Sequence, residues 1–116
     1  MKPDSFRDFV LDQLHPLGDV EARSMFGGNG LYHDGVFFGI LWMGRLYLKT
    51  TEATRVEFVK RGMKPFRPNQ RQTLKSYYEV PVEIIENREA LEEWARRAAE
   101  TKSETRKLKP EPNPKR

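Results

Sequence analysis

Apolar residues recur along this chain in two rhythms, and the switches between them mark out its elements. Phe6, Phe9, Val10, Leu14 and Leu17 follow at three- and four-residue spacing, with Arg7, Asp8 and Asp12 facing away, as in an amphipathic helix with one buried stripe. Asp4 and Ser5 suit its N-cap, and Pro16 with Gly18 stops it near His15, so a helix is expected over residues 4–15. From Val20 the rhythm becomes that of extended chain. Residues 20–26 roughly alternate, Gly27, Gly28 and Gly30 permit a bend or bulge, and Leu31-Tyr32-His33 runs on to Asp34-Gly35. Asp-Gly is a strong hairpin signal because both residues tolerate positive φ. Residues 36–42 are nearly all apolar, as suits a central strand; Met43-Gly44 turns the chain; residues 45–49 alternate, with Leu46 and Leu48 on one face. The expectation is a three-stranded antiparallel meander.

Thr50 or Thr51 then caps a short second helix through Arg61, with Ala53, Val56 and Val59 on its expected buried side and Gly62 as its stop. Lys64-Pro65-Phe66 reads as a brief extended piece, placed at a sheet edge by Pro65. Residues 67–75 are polar and read as a mobile loop, and residues 76–80 as a strand ended by Pro81. Asn87 caps a third helix whose inward stripe is Leu91, Trp94, Ala95 and Ala98. Glu92–Arg96 and Glu93–Arg97 stand at i,i+4 in the favourable order. The helix frays after Thr105, and the segment with Pro110, Pro112 and Pro114 reads as a disordered tail. The fold class is α+β: a two-layer α-β(3)-α-β(2)-α arrangement, with an antiparallel sheet packed against helices.

At 116 residues the chain has room for one domain, expected over 1–101, followed by a basic Pro/Lys/Arg-rich tail over 102–116. The tail changes how the charge is read. Its six cations against Glu104 and Glu111 account for the whole net charge of +4, which leaves fifteen residues of each sign in the body. Within the body the signs segregate. Arg55, Lys60, Arg61, Lys64, Arg67, Arg71 and Lys75 stand with the single acid Glu57, whereas seven acids fall between Glu79 and Glu100. Two accounts fit: a binding face, or segments that neutralise one another across the fold.

Candidate chemistry is sparse. The absence of cysteine removes disulfides, thiolate nucleophiles and Cys-based metal sites, and favours a reducing, cytoplasmic setting. The N-terminus lacks the apolar core of a signal peptide, and the longest apolar run, residues 36–43, is too short to span a membrane. The glycines at 27, 28 and 30 fit neither a Walker loop nor a dinucleotide fingerprint, because a strand rather than a helix follows. His15 and His33 have no partner at ligand spacing, and Glu79, Glu83 and Glu86 lack the spacing of a loop cation site. No catalytic residue, metal ligand or cofactor is therefore assigned. Tyr77 and Tyr78 alternate faces on their strand, so one should point outward. An exposed tyrosine, Tyr77 or Tyr78, beside Lys75, Arg71 and Arg67 has the composition of a small stacking-plus-phosphate surface; the alternative is that Tyr77 or Tyr78 packs under a solvated basic loop. Trp42 and Trp94 sit in apolar stripes and read as core anchors.

In order, Arg23-Ser24-Met25-Phe26-Gly27-Gly28-Asn29-Gly30-Leu31-Tyr32, Asp34-Gly35, Arg45-Leu46-Tyr47-Leu48-Lys49, Pro65-Phe66, Tyr77-Tyr78-Glu79-Val80-Pro81 and Leu91-x-x-Trp94-Ala95 resemble the N-terminal domain of the TfoX/Sxy competence-regulator family. The resemblance runs from Asp4 to Ala99. It implies a two-layer α+β fold similar to secretion-chaperone-like folds, and a role in regulating natural competence (DNA transformation) together with the cyclic-AMP receptor protein at promoters. Full-length members carry a second, C-terminal helical domain, whereas only the short basic tail follows Ala99 here. The expected function is a non-enzymatic, cytoplasmic protein-interaction module of transcription regulation. Its expected partner is another protein, either transcription machinery or a regulator, with self-association into a homodimer as a further option and no membrane contact. The alternative is a nucleic-acid-binding module using Arg55, Lys60, Arg61, Lys64, Arg67, Arg71, Lys75, Tyr77 and the tail.

Overall fold

A six-stranded antiparallel sheet, in the order β1-β2-β3-β4-β6-β5, organises the computed structural model, which describes residues 3–25 and 27–108. The chain runs α1 (Pro3–Gln13), a single 3-10 turn (His15–Leu17), β1 (Val20–Met25), β2 (Gly28–His33), β3 (Val36–Trp42), β4 (Arg45–Lys49), α2 (Glu52–Lys60), β5 (Pro65–Asn69), β6 (Gln72–Glu79), α3 (Val82–Ile85) and α4 (Arg88–Leu108). The α+β class and the antiparallel sheet stand as expected. The element count differs in two places. Four strands precede α2 rather than three, because Gly27, at φ +83°, lies between Met25 and Gly28 where β1 folds back on β2 as a hairpin. A short helix, α3, fills the interval between Pro81 and Asn87, for which the sequence gives no periodic signal. The far end of the expected tail, residues 109–116, lies outside the described residues; residues 102–108 continue α4.

The helices cover one face of the sheet. Val10 and Leu14 from α1, Phe58 from α2, Ile84 and Ile85 from α3, and Leu91, Trp94, Ala95 and Ala98 from α4 bury against Leu31, Phe38, Leu41, Leu46, Leu48 and Val80. Polar ties fix this layer. Buried Gln13 donates from Nε2 to the Ile85 carbonyl at 3.0 Å, and Arg88 Nη2 donates to the Asp12 carbonyl at 2.9 Å. At the start of α4 the Asn87 side chain accepts from Ala90 N–H at 3.0 Å, the expected N-cap.

The opposite face carries a second cluster drawn, among the described residues, from strands alone. Ile40, Tyr47, Phe66 and Tyr77 are buried there, with Met25, Phe37, Trp42 and Leu74 packed around them. Its rings form two triplets, with centroids 5.2 Å apart for Tyr32–Phe37 and 5.3 Å for Phe37–Tyr77 in one, and 4.9 Å for Tyr47–Phe66 and 5.4 Å for Trp42–Phe66 in the other. A bulge supplies the extra residue that lets β3 serve both faces. Leu31 pairs with Gly39 and Tyr32 with Phe37, so Phe38 is inserted between them. Phe37 and Ile40 then join the strand-only cluster while Phe38 and Leu41 join the helical core.

Candidate functional site

Helix α2 carries the feature that the periodicity of the sequence predicted in the wrong orientation. Thr51 caps it: its hydroxyl accepts from Thr54 N–H at 3.1 Å, and Thr51 N–H donates to Thr54 Oγ1 at 2.9 Å, forming a capping box. The expected buried side, Ala53, Val56 and Val59, faces solvent instead, with Val56 51% and Val59 55% exposed. The inward anchor is Phe58, whose ring meets Trp94 edge-on at 4.7 Å and Tyr78 at 6.1 Å. One aromatic side chain outweighs two valines because it removes far more apolar area from water.

Charged groups lock this orientation. Glu57 receives a forked pair from Arg97 of α4, at 2.8 and 3.3 Å. Arg97 therefore reaches across to α2 rather than only back to Glu93, while Arg96 takes both Glu92 and Glu93. The guanidiniums of Arg61 and Arg97 lie 5.2 and 5.9 Å from the Trp94 ring centroid. Hydrogen bonding from Arg97 holds the Glu57 carboxyl below its ordinary value of 4.5, against an opposing push from partial burial. A carboxyl depressed on folding stabilises the fold above its unfolded pKa, and that stabilisation is lost as pH falls through the folded one. Glu57→Gln is therefore expected to cost about 0.5–1 kcal/mol at pH 7, the range of a pair partly screened by water. In urea unfolding at successive pH values, the gap from the wild type should close as pH falls below 4.5.

With Phe58 turned inward and Glu57 and Arg61 turned toward α4, α2 presents Glu52, Arg55, Val56, Val59 and Lys60 as one open, solvent-facing patch. The patch has two exposed valines at its centre, with Arg55 and Lys60 beside them. Arg55 is positioned there by its own hydrogen bond, from Nε to Thr50 Oγ1 at 3.0 Å. Thr50 is in turn buried and bonded through both its N–H and its hydroxyl to the Ser76 carbonyl.

The other cations singled out in the sequence, Arg61, Lys64, Arg67, Arg71 and Lys75, do not line this patch. Residues 67–75 are not a loop but most of a hairpin, with β5 pairing β6 from Pro65 to Asn69 around a turn at Gln70 and Arg71. Most of their side chains are polar because β5 is an edge strand, while Leu74 turns into the strand-only cluster beside Phe66. Arg67 Nη2 donates to the Gln70 carbonyl at 2.8 Å, and Asn69 Oδ1 accepts from Arg71 N–H at 2.8 Å. Arg67, Arg71 and Lys75 are exposed. Lys64 lies on the link from α2 to β5, its carbonyl accepting from Glu79 N–H. The run Arg55–Lys75 is thus divided between α2 and the hairpin.

Tyr77 is not the exposed stacking ring of the basic-surface reading. It is only 8% exposed within the strand-only cluster, and burial pushes its hydroxyl pKa up, so it stays protonated and offers no free face to a base. Among the described residues no group of three His, Asp or Glu side chains is placed to hold a metal ion, and no helix is long and apolar enough to cross a membrane.

A family model described as the TfoX N-terminal domain matches residues 12–102, a span that takes in all six strands. The DNA transformation protein TfoX of Haemophilus influenzae is 31% identical over 80 residues, covering 66% of this chain and 36% of that protein. DNA transformation protein TfoX1 of Aliivibrio fischeri is 32% identical over 76 residues, covering 64% and 36%. The chain thus spans about a third of the length of these curated relatives.

Proposed function

The chain belongs to the TfoX N-terminal domain family, and we propose that it is a non-enzymatic regulatory module of DNA transformation that works by docking a protein partner. The observation that carries this reading is the outward face of α2. A helix fixed by a buried phenylalanine, a forked ion pair and a capping box nevertheless turns Val56 and Val59 to water inside a rim of Arg55, Lys60 and Glu52. A rigidly held apolar pair set among charged side chains suits a small protein contact with a polar rim. The relatives named as DNA transformation proteins supply the process, and the cytoplasm is where a regulator of transcription would act.

The competing reading is nucleic-acid binding through the exposed hairpin cations Arg67, Arg71 and Lys75. The equal numbers of acids and bases in residues 1–101 argue against it, because dedicated binders concentrate positive charge in the folded domain. Fluorescence anisotropy with labelled single- and double-stranded DNA and RNA, titrated with the full chain across a salt series, separates the two. The protein-docking reading expects only weak binding that fades steeply with salt. Binding tighter than about micromolar at physiological salt, weakened by Arg67→Ala, Arg71→Ala and Lys75→Ala, would overturn it.

A further inference from the structure

The two edges of the sheet differ in a way that bears on assembly. β5 contains Pro65 and Pro68, which remove donors and suit a closed edge. β1 contains no proline, and among the described residues it pairs with β2 alone. Which of its backbone groups face outward follows from the ladder. Asp34 N–H donates to the Asp19 carbonyl at 3.3 Å, one step beyond the Val20–His33 pair. Hydrogen-bonded and non-hydrogen-bonded pairs alternate in an antiparallel ladder. The bonds to β2 therefore fall at Glu21, Arg23 and Met25, and the N–H and C=O groups of Val20, Ala22 and Ser24 point away from the sheet.

Glu21 and Arg23 flank Ala22 on the same face, 60% and 54% exposed, joined by a 3.1 Å ion pair. The Arg23 guanidinium lies 4.3 Å from the Tyr32 ring centroid, which keeps it low on that face. This pattern is complementary to itself. If a second β1 is laid antiparallel about a two-fold axis at Ala22, Ala22 faces Ala22 of the second copy and exchanges both backbone bonds with it. Val20 and Ser24 meet in the same manner on either side. Glu21 then stands opposite the other copy's Arg23, twice, in non-hydrogen-bonded pairs where Cα atoms come within about 4.5 Å and side chains approach most closely. Centring the axis on Glu21 or on Arg23 instead sets like charges face to face. Of these registers, the one about Ala22 alone aligns the free backbone groups and pairs Glu21 with Arg23 on both sides while leaving no like charges opposed.

We propose that two copies of this chain join edge to edge through β1, antiparallel about Ala22, to form one continuous twelve-stranded sheet. The interaction goes beyond the docking role of α2 and does not depend on it. A single strand pair makes a small interface, so the association is weak and reversible.

Sedimentation velocity of the full chain over about 5–500 μM, a range matched to such an interface, tests it. The wild type should shift from monomer to dimer. Glu21→Arg makes both flanking positions cationic and Arg23→Glu makes both anionic, so each variant alone should stay monomeric, with its dissociation constant raised about tenfold or more because two cross-strand pairs turn repulsive at once. An equimolar mixture of the two should dimerise again, since every Arg then faces a Glu. The double variant Glu21→Arg/Arg23→Glu should also dimerise. Ala22→Pro deletes an N–H that β2 does not use and should abolish association while leaving the circular-dichroism spectrum unchanged. A wild type that stays monomeric throughout would overturn the proposal. So would a dimer indifferent to single charge reversal, or single variants that fail to associate when mixed.

Discussion

Replacing Phe58 by alanine should cost about 3–4 kcal/mol of stability, the loss typical of a buried phenylalanine. The ring is 3% exposed and meets both Trp94 and Tyr78, so its removal opens a cavity between α2, α4 and the sheet. The nine residues of α2 are too few for a helix to persist without packing. Amide exchange should therefore accelerate in α2 well before it does in β3 or β4. Val56→Ala and Val59→Ala, about 200° and about 100° around the helix from Phe58 on the exposed side, should each change stability by no more than about 0.5 kcal/mol. Urea unfolding of the three variants measures the contrast. Equal losses at Phe58 and Val59 would mean that the inward face of the helix had been misassigned.

Gly28→Ala should cost about 2–3 kcal/mol, at the upper end of what an inserted methyl does in packed surroundings. A Cβ at this position would sit 2.1 Å from the Leu41 carbonyl oxygen and 3.1 Å from the Trp42 Cα. Both are backbone atoms of β3, so no rotamer change relieves the overlap and the two strands must part. The thermal midpoint should fall by about 10 °C or more for a domain of this size. The glycines at 27–30 thus serve a tight hairpin and close strand contact, which is the structural reason that this segment resembles a phosphate loop in composition alone.

Much of the fold was legible because local chemistry and global packing agree there. The Asp34-Gly35 turn adopts positive φ at both residues, Leu46 and Leu48 share a buried face, Thr51 and Asn87 cap their helices, and the Leu91–Trp94–Ala95–Ala98 stripe is buried throughout. The misses have physical causes. The Ala53–Val56–Val59 spacing is a sound helical stripe, but periodicity alone does not say which stripe faces in. The signal that could have decided it was the single large aromatic, Phe58, with Glu57 placed to meet a cation from another helix. The β5–β6 hairpin was hidden because its pairing is irregular, with register shifts on both sides of Phe66, so the residues it gives to the strand-only cluster, Phe66, Leu74 and Tyr77, follow no regular alternation. Tyr77 could not be placed from its neighbours in sequence, because the rings that bury it, Phe37 and Phe66 among them, come from β3 and β5. The self-complementary Glu21–Ala22–Arg23 edge became visible only when the ladder showed which backbone groups point outward.

The docking role of α2 is tested most directly in a transformation assay. The segment of the Haemophilus influenzae relative that aligns with this chain would be replaced by residues 1–102 of it, and DNA uptake scored. Val56→Glu/Val59→Glu keeps good helix formers on an exposed face and should leave stability within about 0.5 kcal/mol of the parent. It should nevertheless lower transformation frequency by about tenfold or more, the loss expected when an apolar anchor is removed from a docking surface. Arg67→Ala/Arg71→Ala/Lys75→Ala should leave the frequency within about twofold, as for exposed charges outside the contact. The reverse pattern, with the hairpin variant defective and the helix variant active, would contradict the account and move the functional surface to the basic hairpin.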